Sequence, residues 1–257
     1  MAKQTHPLDG VEVLVFDVFG TVADWRSSVI RELEEVGRKF KLDVSDNEWA
    51  EFADEWRKGY MINTKKVAAG GEGPKDTDVM HRMLLDNLLA SERWSKVGTA
   101  LDEKTRADLN MVWHRLNGWP EVVSALQTLK KKVIIVALSN GNLRLLVDMA
   151  KHAQFPWDTI FSTAMYDSFK PNPIVYESTL KHLSLSSTPQ KAAMVAAHLF
   201  DVRGAAKAGM KTVYVPRGSE DTKEERESVK SKWEDKERGE VDLVVKDFEE
   251  LARVFQV

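Results

Sequence analysis

The segment Val11–Trp25, VEVLVFDVFGTVADW, climbs through apolar residues to a carboxylate, Asp17, and then turns at Gly20. So short and valine-rich a run suits a strand buried on both faces of a parallel sheet. Similar runs recur. Val133–Leu138 ends at SNG, and Ala192–Ala197 ends at HLFD. Thr212–Val215 and Val241–Val245 read as further strands. Helical patterns lie between them: PEVVSALQTLKKK, in which Pro120 suits a helix start and the lysines its end, then GNLRLLVDMAKHA and DVRGAAKAGM. Alternating strand and helix predicts an α/β fold with a doubly wound, Rossmann-like parallel-sheet core.

Residues 27–116 break that alternation, with almost no strand pattern. In SDNEWAEFADEWRKGYM, Trp49, Phe52, Trp56 and Tyr60 recur at spacings of three and four, which is one helix face. Asp102 to Leu116 repeats the idea with Leu109, Val112, Trp113 and Leu116, and the glycine-rich AAGGEGPKD between them reads as a loop. The expected organisation is a core of residues 1–26 and 117–257 with a helical lobe, 27–116, inserted after the first strand. The dense mixed charge of residues 219–240, SEDTKEERESVKSKWEDKERGE, reads as a solvated helix or loop rather than a binding tail.

Composition narrows the function. A net charge of −3 argues against a general nucleic-acid binder, and the absence of cysteine excludes disulfides, thiolate catalysis and cysteine-ligated zinc. No apolar run reaches the roughly 18 residues needed to span a membrane. The opening MAKQTHPLDG lacks the apolar stretch of a signal peptide, so a cytoplasmic protein is expected.

Ligands of open α/β sheets bind beyond the carboxyl ends of the strands. Four polar clusters fall there: Asp17 with Thr21, Ser139 with Asn140, Lys170 before Pro171, and Asp201. Singly each has an ordinary explanation. A strand-end aspartate, or Ser139 and Asn140, can cap the next helix, and a lone lysine is usually solvated. Together and in this order they form a pattern.

FDVFGTV, LSNG, FKPNPIVYE and AAHLFDVRGAAKAGMKTVYV resemble the four motifs of the haloacid dehalogenase superfamily. DWRSSV and WHRLNGWPEVVSALQTLK look like its L-type 2-haloacid dehalogenases. The resemblance spans the core and makes the inserted lobe a cap domain. It implies hydrolysis of short 2-haloacids to 2-hydroxyacids with inversion at C2, through an ester on the nucleophile Asp17, oriented by Thr21. It implies that Lys170 and Ser139 receive the substrate carboxylate, and that Arg57 of the cap and Asn140 receive the halide. Tyr176 is expected near Lys170, and Asp201 near the hydrolytic water. Val18, Phe19, Lys58, Met61 and Phe200 are expected to bind the substrate. Otherwise Arg57 would be a surface ion pair with Asp54, Phe19 would only pack against the cap, and Tyr176 would be a core aromatic.

Phosphatases of the superfamily usually carry an acid where this chain has Phe19, and a metal-binding aspartate near Ala197. A halide leaves as a stable anion and needs no proton, so neither acid is missed. No metal and no cofactor are therefore expected. Many relatives read Ser-Ser-Asn where this chain has Ala196, Ala197 and His198; His198 takes over part of that positioning role, lines a pocket with a different halide preference, or merely satisfies nearby backbone groups. The expected partners are a 2-haloacid and a halide, with no nucleic acid and no membrane; a homodimer is implied by resemblance alone. The alternative reading is a phosphatase or phosphonatase, the latter needing a cap lysine such as Lys58, Lys65 or Lys66. A non-catalytic binding protein would not need Asp17, Lys170 and Asp201 together.

Overall fold

The computed structural model describes residues 6–255. The chain opens with β1 (Val13–Phe16) and a two-residue β2 (Ala23–Asp24). Five helices follow: α1 (Trp25–Phe40), α2 (Asp46–Ala68), α3 (Thr77–Ala90), α4 (Ser95–Ala100) and α5 (Glu103–Asn110). Next come β3 (Asn117–Gly118), α6 (Val122–Leu129), β4 (Ile134–Ser139), α7 (Leu143–Ala153) and β5 (Thr159–Ser162). Then follow α8 (Pro173–His182), β6 (Ala192–Ala196), α9 (Leu199–Lys207) and β7 (Lys211–Tyr214). The chain closes with α10 (Lys223–Ser228), β8 (Leu243–Val244) and α11 (Phe248–Val254).

Six strands form one parallel sheet in the order β5-β4-β1-β6-β7-β8, flanked by helices, which is the doubly wound, Rossmann-like α/β fold. All four residues of β1 are buried, as its central position requires. Register places the chemistry. Phe16 pairs with Ala137 and with Val195, so Asp17, Ser139 and Ala197 reach the same carboxyl edge. There the order of strands reverses about β1, the switch point where such sheets open a crevice.

Among residues 27–116 every described element is helical. Helix α2 begins with a capping box between Ser45 and Glu48, and its Trp49, Phe52, Trp56 and Tyr60 are all buried. The Asp102–Leu116 pattern also faces inward, but the helix stops at Asn110 and Met111–His114 continues as a tighter 3-10 turn.

Three expectations change. Pro120 stands in a turn ahead of α6, whose cap is Glu121, and the lysines follow the helix instead of filling its last turn. The edge strand β5 was not anticipated, because its half-exposed pattern lacks the apolar run of a central strand. The charged segment 219–240 holds one short helix, α10, but it is not solvated throughout: the Glu220 side chain near its start is almost fully buried.

Candidate active site

Asp17 ends β1 and is buried. Its backbone N–H still donates along the sheet, to Val195 O at 3.0 Å. The turn that follows needs φ +82° at Gly20, where glycine is unstrained. A side chain at Gly20 would also collide with the Glu220 carboxylate. The turn carries Thr21 back, so that its hydroxyl donates to Asp17 Oδ2 at 2.6 Å while accepting from Ala197 N at 2.8 Å.

Lys170 Nζ donates to Asp17 Oδ1 at 2.7 Å, to Asp201 Oδ2 at 2.5 Å and to Leu138 O at 3.0 Å. Its backbone N–H donates to Asn140 Oδ1, which ties the loop after β4 to the lysine. The Tyr176 hydroxyl meets Asp201 Oδ1 at 2.7 Å; it reaches the aspartate on the far side of Lys170, not the lysine itself. Ser139 Oγ accepts from Gly141 N. His198, at the entrance to α9, meets Asp17 Oδ2 through Nδ1 at 2.9 Å and Glu220 Oε2 through Nε2 at 2.8 Å. Glu220 also accepts from Trp25 Nε1 at 2.7 Å and faces Arg57 Nη2 at 3.7 Å. Acids and bases therefore alternate through the buried site: Asp201, Lys170, Asp17, His198, Glu220, Arg57.

Their charges follow from that order. Burial alone would raise the Asp17 carboxyl, but the Lys170 ammonium and then His198 override it and hold it well below its usual range. Asp201 goes the other way: burial pushes it up against the pull of Lys170. Burial opposes charge on His198 too, yet Asp17 and then Glu220 carry its pKa up to about 10. Burial likewise opposes charge on Glu220, and the His198 hydrogen bond, with Arg57 and Trp25 behind it, brings it down to about 2. At neutral pH His198 is therefore an imidazolium that donates from both nitrogens.

This sets a pH window for stability. The raised His198 contributes fully below its ordinary 6.5 and loses its contribution as pH rises to about 10. The depressed Glu220 contributes above its ordinary 4.5 and loses it as pH falls to about 2. The stability difference between the protein and His198→Asn, measured by urea unfolding, should shrink as pH rises from 6.5 towards 10. A constant difference across that range would mean that His198 is neutral in the folded state.

The side of the site that meets α2 is aromatic. Phe19 packs against Tyr60 and Trp113, each at 6.2 Å between ring centroids. The Arg57 guanidinium lies within 5.2–5.6 Å of the centroids of Tyr60, Trp25 and Phe19. Arg57 makes no pair with Asp54, which instead binds Arg26 at 2.8 Å. A small cavity of about 20 Å³ lies between the two sides, lined by Asp17, Phe19, Arg57, Tyr60, Met61, Ser139, Asn140, Lys170, His198 and Phe200. Outside it opens a groove of about 580 Å³ that shares Arg57, Met61, His198 and Phe200 with it. Lys58 and Lys65 line the groove and not the cavity. Val18 lines neither; it is buried, and its carbonyl accepts from Val22 and Ala23 in the turn.

The sequence reading missed Glu220 and Asp221. The Asp221 carboxylate accepts from Leu199 N at the start of α9 and from the Tyr214 hydroxyl. Among the described residues no group of three or more histidine, aspartate or glutamate side chains is arranged to hold a metal ion. Nor is any helix there long and apolar enough to cross a membrane.

The family model for haloacid dehalogenase-like hydrolases matches residues 11–209. Among curated proteins, (S)-2-haloacid dehalogenase 4A of Burkholderia cepacia is 25% identical over 224 residues, covering 82% of this chain and 85% of that one. Among solved structures, the L-2-haloacid dehalogenase PA0810 is 31% identical with a TM-score of 0.79, over 95% of this chain and 99% of that one. The defluorinating L-2-haloacid dehalogenase Rha0230 is 30% identical with a TM-score of 0.82, over 96% of both chains.

Proposed function

Since the chain belongs to the haloacid dehalogenase-like hydrolase family, we propose that it hydrolyses short 2-haloalkanoic acids to 2-hydroxyacids through an ester on Asp17. The observation that carries this reading is a buried, ionised carboxylate and a buried cation with a free N–H on one small cavity. Arg57 Nη1 is inaccessible to solvent and has no hydrogen-bond partner, although Nη2 faces Glu220. Such an atom suits an anion that arrives during the reaction.

The roles follow from the contacts. Asp17 Oδ2 is engaged twice, by Thr21 and His198, and Oδ1 once, by Lys170. Oδ1 is thus the freer oxygen, and it attacks C2 opposite the carbon–halogen bond, inverting that carbon. The C–O bond forms, the C–X bond breaks, and its electron pair leaves with the halide towards Arg57. A water held beside Lys170 and Asp201 then attacks the Asp17 carboxyl carbon while Thr21 and the His198 imidazolium donate to Oδ2, the ester's carbonyl oxygen. Asp201 takes the water's proton and returns it to Oδ1 as the bond from the carboxyl carbon to Oδ1 breaks; the 2-hydroxyacid leaves with Oδ1, and the new Asp17 carboxyl gives up its proton to solvent. Helices α1–α5 act as the cap of a core formed by residues 1–26 and 117–257.

The alternatives have weaker support. Phe19 offers no proton to a departing alkoxide. No cap lysine lines the cavity at Asp17, as a phosphonatase would need. All four oxygens of Asp17 and Asp201 already accept from Thr21, His198, Lys170 or Tyr176, so a metal would have to displace those donors. The deciding experiment is halide release from 2-chloropropionate in EDTA, run beside phosphate release from a phosphomonoester. Full halide release without magnesium, no gain on adding it, and negligible phosphate release are expected. A magnesium requirement, or phosphate release outrunning halide release, would replace this reading with the phosphatase one.

A further inference from the structure

We propose that Tyr60 is a second donor to the leaving halide, forming with Arg57 a dry seat fitted to small halogens; this rests on the dehalogenase reading above. The two residues stand three apart on α2, hence on one face of the helix. Both line the cavity bounded by Asp17 and Phe19. Like Arg57 Nη1, the Tyr60 hydroxyl is inaccessible to solvent and has no partner. A buried polar atom left unpaired is destabilising, so two on residues of one small cavity call for a ligand.

The chemistry of the pair selects that ligand. Arg57 Nη1 can only donate. Burial pushes the Tyr60 pKa up, so its hydroxyl keeps its proton and is also available as a donor. Two unpaired donors on residues that line one cavity, one of them cationic, favour an anion there. In-line attack by Asp17 on C2 places the departing halogen on the far side of that carbon, and on the reading above that is the side of Arg57 and Tyr60, so the anion they receive is the halide.

The Tyr60 ring is fixed before the reaction. His81 stacks on it at 4.6 Å and 5° between planes, and Arg57 lies 5.2 Å from its centroid. His81 is itself fully buried and kept neutral by that burial, so it brings no competing charge. A held hydroxyl needs no reorganisation when charge appears on the halogen, and its hydrogen bond strengthens only as the C–X bond breaks. Tyr60 gives up no proton; the bond electrons leave with the halide. Because hydrogen bonds to a halide strengthen as its charge is concentrated, fluoride gains most from the hydroxyl and bromide least.

Tyr60→Phe keeps the ring and its stacking and deletes only the donor. A hydrogen bond to a charged group has an effect of about 10–100-fold, so kcat for chloroacetate should fall by that factor with a much smaller change in KM. The loss should be greater for fluoroacetate and smaller for bromoacetate. Chloride, titrated calorimetrically into the protein and into Tyr60→Phe, should bind more weakly to the variant. Unchanged kcat with unchanged chloride affinity would overturn the proposal, and so would equal losses for all three halogens, which mark a purely structural role. Should the protein release halide from no haloacid, the functional reading falls, while the chloride titration still decides whether the seat exists.

Discussion

Asp17→Asn lowers halide release by on the order of 10⁴-fold or more, since it removes the attacking atom itself and not a helper. Asparagine keeps the shape of the side chain, and Lys170 retains Asp201 and Leu138 O as partners, so the variant should still fold. Isotope labelling separates loss of the nucleophile from general damage. In ¹⁸O water, a single turnover of the unmodified protein should give a product whose new hydroxyl is unlabelled, because its oxygen comes from Asp17. The label should appear in the Asp17 carboxylate and reach product only in later turnovers. Label in the first product molecule would mean that water attacks carbon directly, and Asp17 would lose the role given to it.

Lys170→Met should damage stability as well as turnover. The substitution keeps the approximate length of the side chain and deletes three hydrogen bonds at once, to Asp17, Asp201 and Leu138. Two buried carboxylates then face each other without the cation between them, and breaking such a buried pair costs about 3–5 kcal/mol. The sign with pH follows from Asp17. Its depressed pKa contributes stability above its ordinary 3.8, which is lost as pH falls, and Lys170 is the main cause of that depression. In the variant the Asp17 carboxyl rises, so residual activity should shift to higher pH. Urea unfolding and the pH profile of kcat/KM measure the two effects. Unchanged stability with an unchanged profile would show that the lysine does not bridge the two acids.

The parts of this site that could be read from sequence are those fixed by the sheet. Asp17, Ser139 and Asp201 stand at or just after the ends of apolar runs, and parallel strands deliver such residues to one edge. Arg57 and Tyr60 fall on a helix face that the aromatic spacing already marks, although that spacing says nothing of their free polar atoms. Glu220 could not be read by composition, because a buried glutamate among Ser219, Asp221 and Lys223 looks like its solvated neighbours. The usable signal was topological. The segment follows the strand Lys211–Tyr214, so it starts at the same edge as the other site loops and can fold over Gly20. β5 was invisible for the opposite reason: at the end of the sheet, half exposed, it needs no continuous apolar run.

The inner cavity and the outer groove meet at a wall of four side chains, Arg57, Met61, His198 and Phe200. On the dehalogenase reading, a haloacid reaches Asp17 from the groove by passing these four side chains. Helix α2 contributes two of those side chains and the stretch from His198 into α9 the other two, so passage means moving a helix of the inserted lobe against the sheet edge. Motions of that kind run on microsecond to millisecond timescales and often outlast the bond-breaking they enclose. Should that opening limit turnover, kcat falls as solvent viscosity rises even with the chemistry untouched.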